Sequence, residues 1–208
     1  WLAAMLALRH GFAANAAGGS HHAQASHGAG YCVFNDLAIT AHRLIAEGHA
    51  RRIMIIDLDV HQGDGTAALL HERPDIFTFS IHSESNFPAR KARSDFDLGL
   101  PDKTEDAAYM EALEAHLLPA LDAHAPDVIL YQAGVDPHHD DRLGRLALTD
   151  RGLERRDHFV MRAARERGIP LASALGGGYG DDRRAVAERH ARSILSLHSQ
   201  FIQGSDSA

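Results

Sequence analysis

Four short apolar runs constrain this chain most. Ile53-Met54-Ile55-Ile56 is unbroken and rich in β-branched residues, Ile76–Ile81 is a second run of this kind, and Val128–Tyr131 and Ile169–Leu175 read as a third and fourth strand. Runs of this kind occur in strands covered on both faces. Amphipathic or Ala/Leu-rich stretches separate them. Residues 2–10 read as a helix stopped by Gly11, and Phe12–Ala17 is a short apolar segment ending at Gly18-Gly19. Asp36 is expected to cap a helix to about Glu47, with Leu37, Thr40, Ala41 and Leu44 at helical spacing and Gly48 as the stop. Thr104 opens a long helix with Asp106 in its first turn and Pro126 beyond its end. Thr149 opens another that ends near Gly168, and residues 182–199 form the last. Strands alternating with helices predict an α/β fold, a single domain with a mostly parallel β-sheet and helices on both faces. A chain of 208 residues suits one domain, expected over 1–202, with a loose polar tail over 203–208.

Composition narrows the function. The formal net charge is −7 and no basic block stands out, which argues against direct nucleic-acid binding. The single cysteine, Cys32, forms no internal disulfide, and the simplest setting is a reducing, cytoplasmic one. No run approaches the ~18 apolar residues of a membrane span. The apolar start, Trp1 to Leu8, lacks a basic leader and a methionine, so the sequence reads as the inner part of a longer chain. The 16 histidines are the compositional oddity, because imidazole is both a metal ligand and a general base.

In parallel α/β sheets, ligands bind beyond the carboxyl ends of the strands, so the residues after each strand carry the functional signal. The first apolar segment is followed by Gly18-Gly19-Ser20-His21-His22, and the Ile53 run by Asp57-Leu58-Asp59-Val60-His61-Gln62-Gly63-Asp64-Gly65. His82 follows the Ile76 run, Gln132-Ala133-Gly134-Val135-Asp136 the Val128 run, and Gly176-Gly177-Gly178-Tyr179-Gly180 the last. Asp57, Asp59 and His61 alternate along an extended backbone, so two or three share a face and can reach one divalent ion such as Zn²⁺. Asp136, at another strand end, can complete a three-ligand site with an open position. His21 and His22 could act as a base and an electrostatic partner or acid, each needing a carboxylate to orient it; Asp57 and Asp64 are the candidates. Tyr179 can donate a hydrogen bond to a developing oxyanion.

Blander readings apply elsewhere. Gly176-Gly177-Gly178 lacks the spacing of a phosphate loop. His138 and His139 are expected at the rim or in solvent, because three ligands already suffice for zinc. His42, His49, His71, His116, His124, His158, His190 and His198 are expected on helix surfaces, and Arg151–Arg167 as a solvated helix face.

Taken in order, His21-His22, Gly30-Tyr31-Cys32, Asp57–Gly65, Ala133-Gly134-Val135-Asp136 and Gly176–Tyr179 resemble the histone deacetylase family, over nearly the whole chain from about residue 2 to 199. Gln62 and Asp141-Arg142-Leu143-Gly144 look most like its class IV members and their bacterial relatives. The resemblance implies an arginase/deacetylase-like fold lacking the family's N-terminal segment, which supplies a sheet strand and a loop at the pocket rim. It implies Zn²⁺ on Asp59, His61 and Asp136. His22 would be general base and acid with Asp64 behind it, and His21 the electrostatic partner with Asp57 behind it. Tyr179 would stabilise the oxyanion. The Gly30 carbonyl would line the site, and Tyr31 and Phe87 would flank an acyl-lysine tunnel. A monovalent cation, usually K⁺, would sit on Asp57, Asp59, His61 and Ser80 or their backbone oxygens. Cys32 beside the pocket is read as packing.

The expected activity is zinc-dependent hydrolysis of an acyl amide, on an acylated lysine peptide or protein or a small acylated amine. Resemblance to class IV implies that long-chain acyl groups are removed at least as well as acetyl. Two alternatives stay open: a dinuclear manganese ureohydrolase of the related arginase-like fold, and a non-catalytic acyl-lysine-binding module. A ureohydrolase needs more carboxylates than this pattern offers.

Overall fold

The structure, a computed structural model, describes residues 1–203; residues 204–208 of the expected tail lie outside the described residues. Six strands form one sheet: β1 (Phe12–Asn15), β2 (Ile53–Asp57), β3 (Ile76–Ser83), β4 (Phe96–Leu100), β5 (Val128–Gln132) and β6 (Leu171–Ala174). The helices are α1 (Leu2–His10), α2 (Asp36–Ala46), α3 (Asp64–Leu70), α4 (Asp106–His124), α5 (Asp150–Glu166) and α6 (Arg183–Ile202). Strand order is β1-β6-β5-β2-β3-β4, and every neighbouring pair is parallel.

The apolar runs behave as their composition dictates. Ile53, Met54, Ile55 and Ile56 are all fully buried, and they alternate between two cores. Ile53 and Ile55 join Val128, Leu130 and residues of α1, α2 and α3 on one face. Met54 and Ile56 join Ile129, Tyr131 and residues of α4, α5 and α6 on the other. Each such side chain contributes about 1.5–3 kcal/mol on burial.

Three local expectations change. The N-cap of α2 is Asn35, whose side chain accepts from Ala38 N at 2.9 Å. Asp36 is thereby released to accept the Gly19 and Ser20 amides at 3.1 and 2.8 Å, which anchors the loop entering His21. β4 was not expected, and it is an edge strand with a polar and a glycine position, Asp97 and Gly99. α3 has seven residues starting at Asp64, too short for a periodic signal. The Phe12–Ala17 segment contains β1 at the opposite edge, paired to β6.

Candidate active site

Chain order reverses between β2 and β5. From β2 the chain moves outward through β3 and β4, while from β5 it moves to β6 on the other side. A crevice opens at such a switch point. Asp57 stands opposite Gln132 at the carboxyl ends of this pair. The loop after β2 delivers Asp59 and His61, and the loop after β5 delivers Asp136.

These three are buried, and their ligand atoms lie within 4.8 Å of one another. His61 Nδ1 is 3.0 Å from both Asp59 Oδ1 and Asp136 Oδ2. The outer carboxylate oxygens are held by donors. Asp59 Oδ2 accepts from Gly177 N at 2.7 Å and Gln132 Nε2 at 2.8 Å, and Asp136 Oδ1 accepts from Val60 N at 2.9 Å. Each carboxylate therefore turns one fastened oxygen away and one toward the shared point. Position 177 must be glycine, because a Cβ would collide with the Asp136 carboxylate.

Burial and then the Asp59 charge push the Asp136 carboxyl well above the usual range. Burial also opposes ionisation of Asp59, but His21 and His61 outweigh it and hold that carboxyl low. Two carboxylates converging in a buried place demand a shared proton or a cation. The donor set, two carboxylate oxygens and one imidazole nitrogen, fits a divalent ion of the zinc type.

His21 and His22 pack beside this centre with ring centroids 4.1 Å apart. His21 Nδ1 meets Asp57 Oδ2 at 2.7 Å, and His22 Nδ1 meets Asp64 Oδ1 at 2.6 Å. Both proposed carboxylate partners are thus the ones in contact. A cavity of about 350 Å³ opens above, lined by His22, Gly30, Tyr31, His61, Phe87 and Tyr179. Gly30 has φ 50°, and a Cβ there would strike the His22 ring. The Phe87 ring stands edge-on to His22 at 4.9 Å, and Tyr31, 85% exposed, forms the outer rim. The Tyr179 ring lies 6.1 Å from His61. Burial, then the charges of Asp59 and Asp136, keep its phenol protonated far above neutrality. Ser80 stands opposite Asp57 in β3, and its hydroxyl pairs with His82 Nδ1 at 2.9 Å. Cys32 is half-buried and its thiol donates to the Gly30 carbonyl at 3.3 Å.

Asn86 at the site was not singled out in the sequence, and Leu143, Asp141 and Gln132 were visible there without the roles they take. Asn86 and Leu143 complete the cavity, and Asn86 Nδ2 donates to the Leu143 carbonyl at 2.6 Å. That bond ties the Phe87 loop to the Leu143 loop. Asp141 accepts the Tyr179 amide at 2.6 Å, fastening a glycine-rich loop that has few side chains of its own. The Asp141–Gly144 run was a visible motif, but nothing in it announced this contact. Gln132 was visible as a strand-end residue, and its side chain spans to Asp59 and the Gly19 carbonyl.

Two bland expectations are corrected. His138 is buried rather than solvated, because the Asp140 amide and the Asp150 carboxylate engage both its nitrogens, at 3.1 and 3.3 Å. His139 is exposed as expected. The Arg151–Arg167 stretch is not a uniformly solvated face, since Arg156 and Asp157 are fully buried. Of the helix histidines expected at the surface, His42, His49, His71, His116 and His198 are exposed, while His124, His158 and His190 are half-buried.

No helix among the described residues is long and apolar enough to cross a membrane. The family model for the histone deacetylase domain matches residues 2–195. An uncharacterized protein of Picosynechococcus sp. is 49% identical over 190 residues, covering 91% of this chain and 63% of that protein. Histone deacetylase 2 of Arabidopsis thaliana is 35% identical over 204 residues, covering 97% of this chain and 52% of that one. The solved acetylpolyamine aminohydrolase of Burkholderia pseudomallei superposes with a TM-score of 0.77 at 27% identity, covering 96% of this chain and 59% of that structure. The chain therefore spans about half to two-thirds of the length of these relatives. On its motifs, its sheet order and the match of a family model to almost its full length, the chain belongs to the histone deacetylase family.

Proposed function

We propose that this chain carries the catalytic centre of a zinc-dependent deacylase, which hydrolyses the amide of an acylated lysine side chain or of a small acylated amine. One observation carries the reading: Asp59, His61 and Asp136 converge beside two His–Asp pairs, under a cavity that His22 and Tyr179 both line. The relatives that bear on substrate class are a histone deacetylase and an acetylpolyamine aminohydrolase.

Asp59, His61 and Asp136 would hold Zn²⁺, which supplies a polarised carbonyl and an acidified water at neutral pH. The remaining chemistry belongs to side chains. Asp64 accepts a hydrogen bond from the Nδ1–H of His22, which fixes the proton there and leaves Nε2 free toward the cavity. Burial lowers the affinity of His22 for a second proton, so at neutral pH it is free to take one from the attacking water. The same nitrogen then returns that proton to the departing amine. His21 stays cationic: burial opposes its charge, but Asp57 and Asp59 raise it to about 9. Its charge favours the negative transition state. Tyr179 donates its phenol proton in a hydrogen bond to the oxyanion. Gly30, Tyr31 and Phe87 line the approach of the acyl-amine chain. Asp57, Asp59, His61 and Ser80 would hold a structural K⁺ behind this centre.

The test is metal content with turnover on acetyl-lysine peptide and acetylpolyamine, for the parent protein and Asp59→Ala. One zinc per chain, lost together with turnover in Asp59→Ala, is the expected result. Two manganese ions per chain would replace this reading with the ureohydrolase one. Zinc without hydrolysis of either amide would leave a binding module.

A further inference from the structure

The pair Arg156–Asp157 of α5 is wholly buried, although an arginine-rich helix would normally turn such residues to solvent. Arg156 Nε donates to Asp157 Oδ1 at 2.9 Å. Its Nη1 donates to two backbone carbonyls, Gly134 at 2.7 Å and Leu58 at 3.2 Å. Tyr131, from β5, donates its hydroxyl to the same Asp157 oxygen at 2.6 Å. Arg156 Nη2 and Asp157 Oδ2 have no partner among the described residues. A buried ion pair with unsatisfied atoms is a poor device for stability alone, and apolar residues of similar size usually serve better.

The position of the two carbonyls is informative. Leu58 lies between Asp57 and Asp59, and Gly134 is two residues before Asp136. The β2–β5 ladder ends at Asp57 and Gln132, with one last bond from Leu58 N to the Gln132 carbonyl at 3.3 Å. Beyond that bond the two loops meet directly through Val60 N, which donates to Asp136 Oδ1 at 2.9 Å, and the guanidinium bridges their backbones from the face on which α5 packs.

We infer that Arg156, oriented by Asp157 and Tyr131, is a positioning residue for the metal centre: it ties the Asp59–His61 loop to the Asp136 loop and so sets the separation of their ligand atoms. The inference rests on the metal-centre reading given above. Arginine suits the task because its planar fork meets several acceptors at fixed angles, whereas a lysine ammonium is a single point charge on a flexible stem. Groups that orient metal ligands typically change metal affinity by about 10- to 100-fold when replaced.

Cobalt(II) is the probe, because its visible absorption bands report ligand geometry independently of turnover. Co²⁺ titrations of the parent protein, Arg156→Lys and Tyr131→Phe are read beside thermal melts. The expected result is one Co²⁺ per parent chain, about 10- to 100-fold weaker binding in Arg156→Lys with displaced bands at saturation, and a smaller change of the same sign in Tyr131→Phe. If Arg156→Lys does not fold, Asp157→Asn takes its place and is expected to weaken binding and move the bands in the same sense. A folded Arg156→Lys or Asp157→Asn protein with parental affinity and parental bands overturns the inference, whatever its melting temperature, because only a general structural role then remains. A parent protein that binds no Co²⁺ overturns the metal-centre reading itself and this inference with it.

Discussion

His21 and His22 are adjacent residues of one chemical type, and the fold gives them opposite proton affinities. His21 faces Asp57 at 2.7 Å and Asp59 at 3.8 Å, and these charges overcome burial to raise it to about 9. His22 meets only Asp64 at contact distance, and burial with the neighbouring His21 charge pulls it below its ordinary value near 6.5. Asp57 is sealed, while the Asp64 side chain is 15% exposed and also accepts from Gln24 Nε2 at 3.1 Å. The number of charges within reach and the degree of sealing separate the two rings. On the proposed reaction, this divides the labour between a standing positive charge and a proton carrier.

The largest test of that division is His22→Ala. Turnover should fall by about 10²- to 10⁴-fold while the metal stays at one per chain, read by amide hydrolysis and elemental analysis. Substantial residual hydrolysis would place the base elsewhere. Stability should respond in the opposite order. Asp57→Ala removes the contacting partner of the sealed His21 charge, leaving only the more distant Asp59, and should cost about 3–5 kcal/mol in a denaturant melt. Asp64→Ala should cost less, about 1–3 kcal/mol, because its pair reaches water. Equal losses would erase the contrast.

The pH profile sharpens it further. His22 must be neutral to accept a proton, and its affinity is lowered, so kcat/KM should rise with pH through a midpoint below 6.5 and fall as acid protonates the ring. An acid limb centred above 7 would assign the titration to another group. The smallest effect is expected from Gln24→Ala. Freed of that donor, Asp64 becomes a stronger acceptor for His22, and the acid limb should move up by less than about one unit, since a hydrogen bond of about 1 kcal/mol corresponds to under one pH unit. A downward shift would contradict the pairing.

Much of this site was legible because its chemistry follows its strands directly. Asp57, Asp59 and His61 come straight after Ile53–Ile56, so one apolar run located both the strand and its polar end. β4 was not legible, because Phe96–Leu100 carries Asp97 and Gly99 and needs only one neighbour at the sheet edge. The choice of Asn35 over Asp36 as cap was also hidden. Either residue can cap, and the Gly19 and Ser20 amides decided it by claiming Asp36. Asn86 left no signal, and Leu143 stood in a visible motif without its role being legible, since that role arises from a contact between residues 57 positions apart.

The sequence alone determined the α/β class, the parallel sheet and the set of polar residues at its carboxyl edge. Strand burial, helix periodicity and strand-end placement are local properties, written in runs of a few residues. Only the tertiary structure decided that β2 lies beside β5 and so brings Asp136 to His61, 75 residues away. It alone decided which histidine keeps its charge and that Arg156 sits buried beneath the centre. Burial and electrostatic environment are sums over neighbours distant in sequence, and no local pattern contains them.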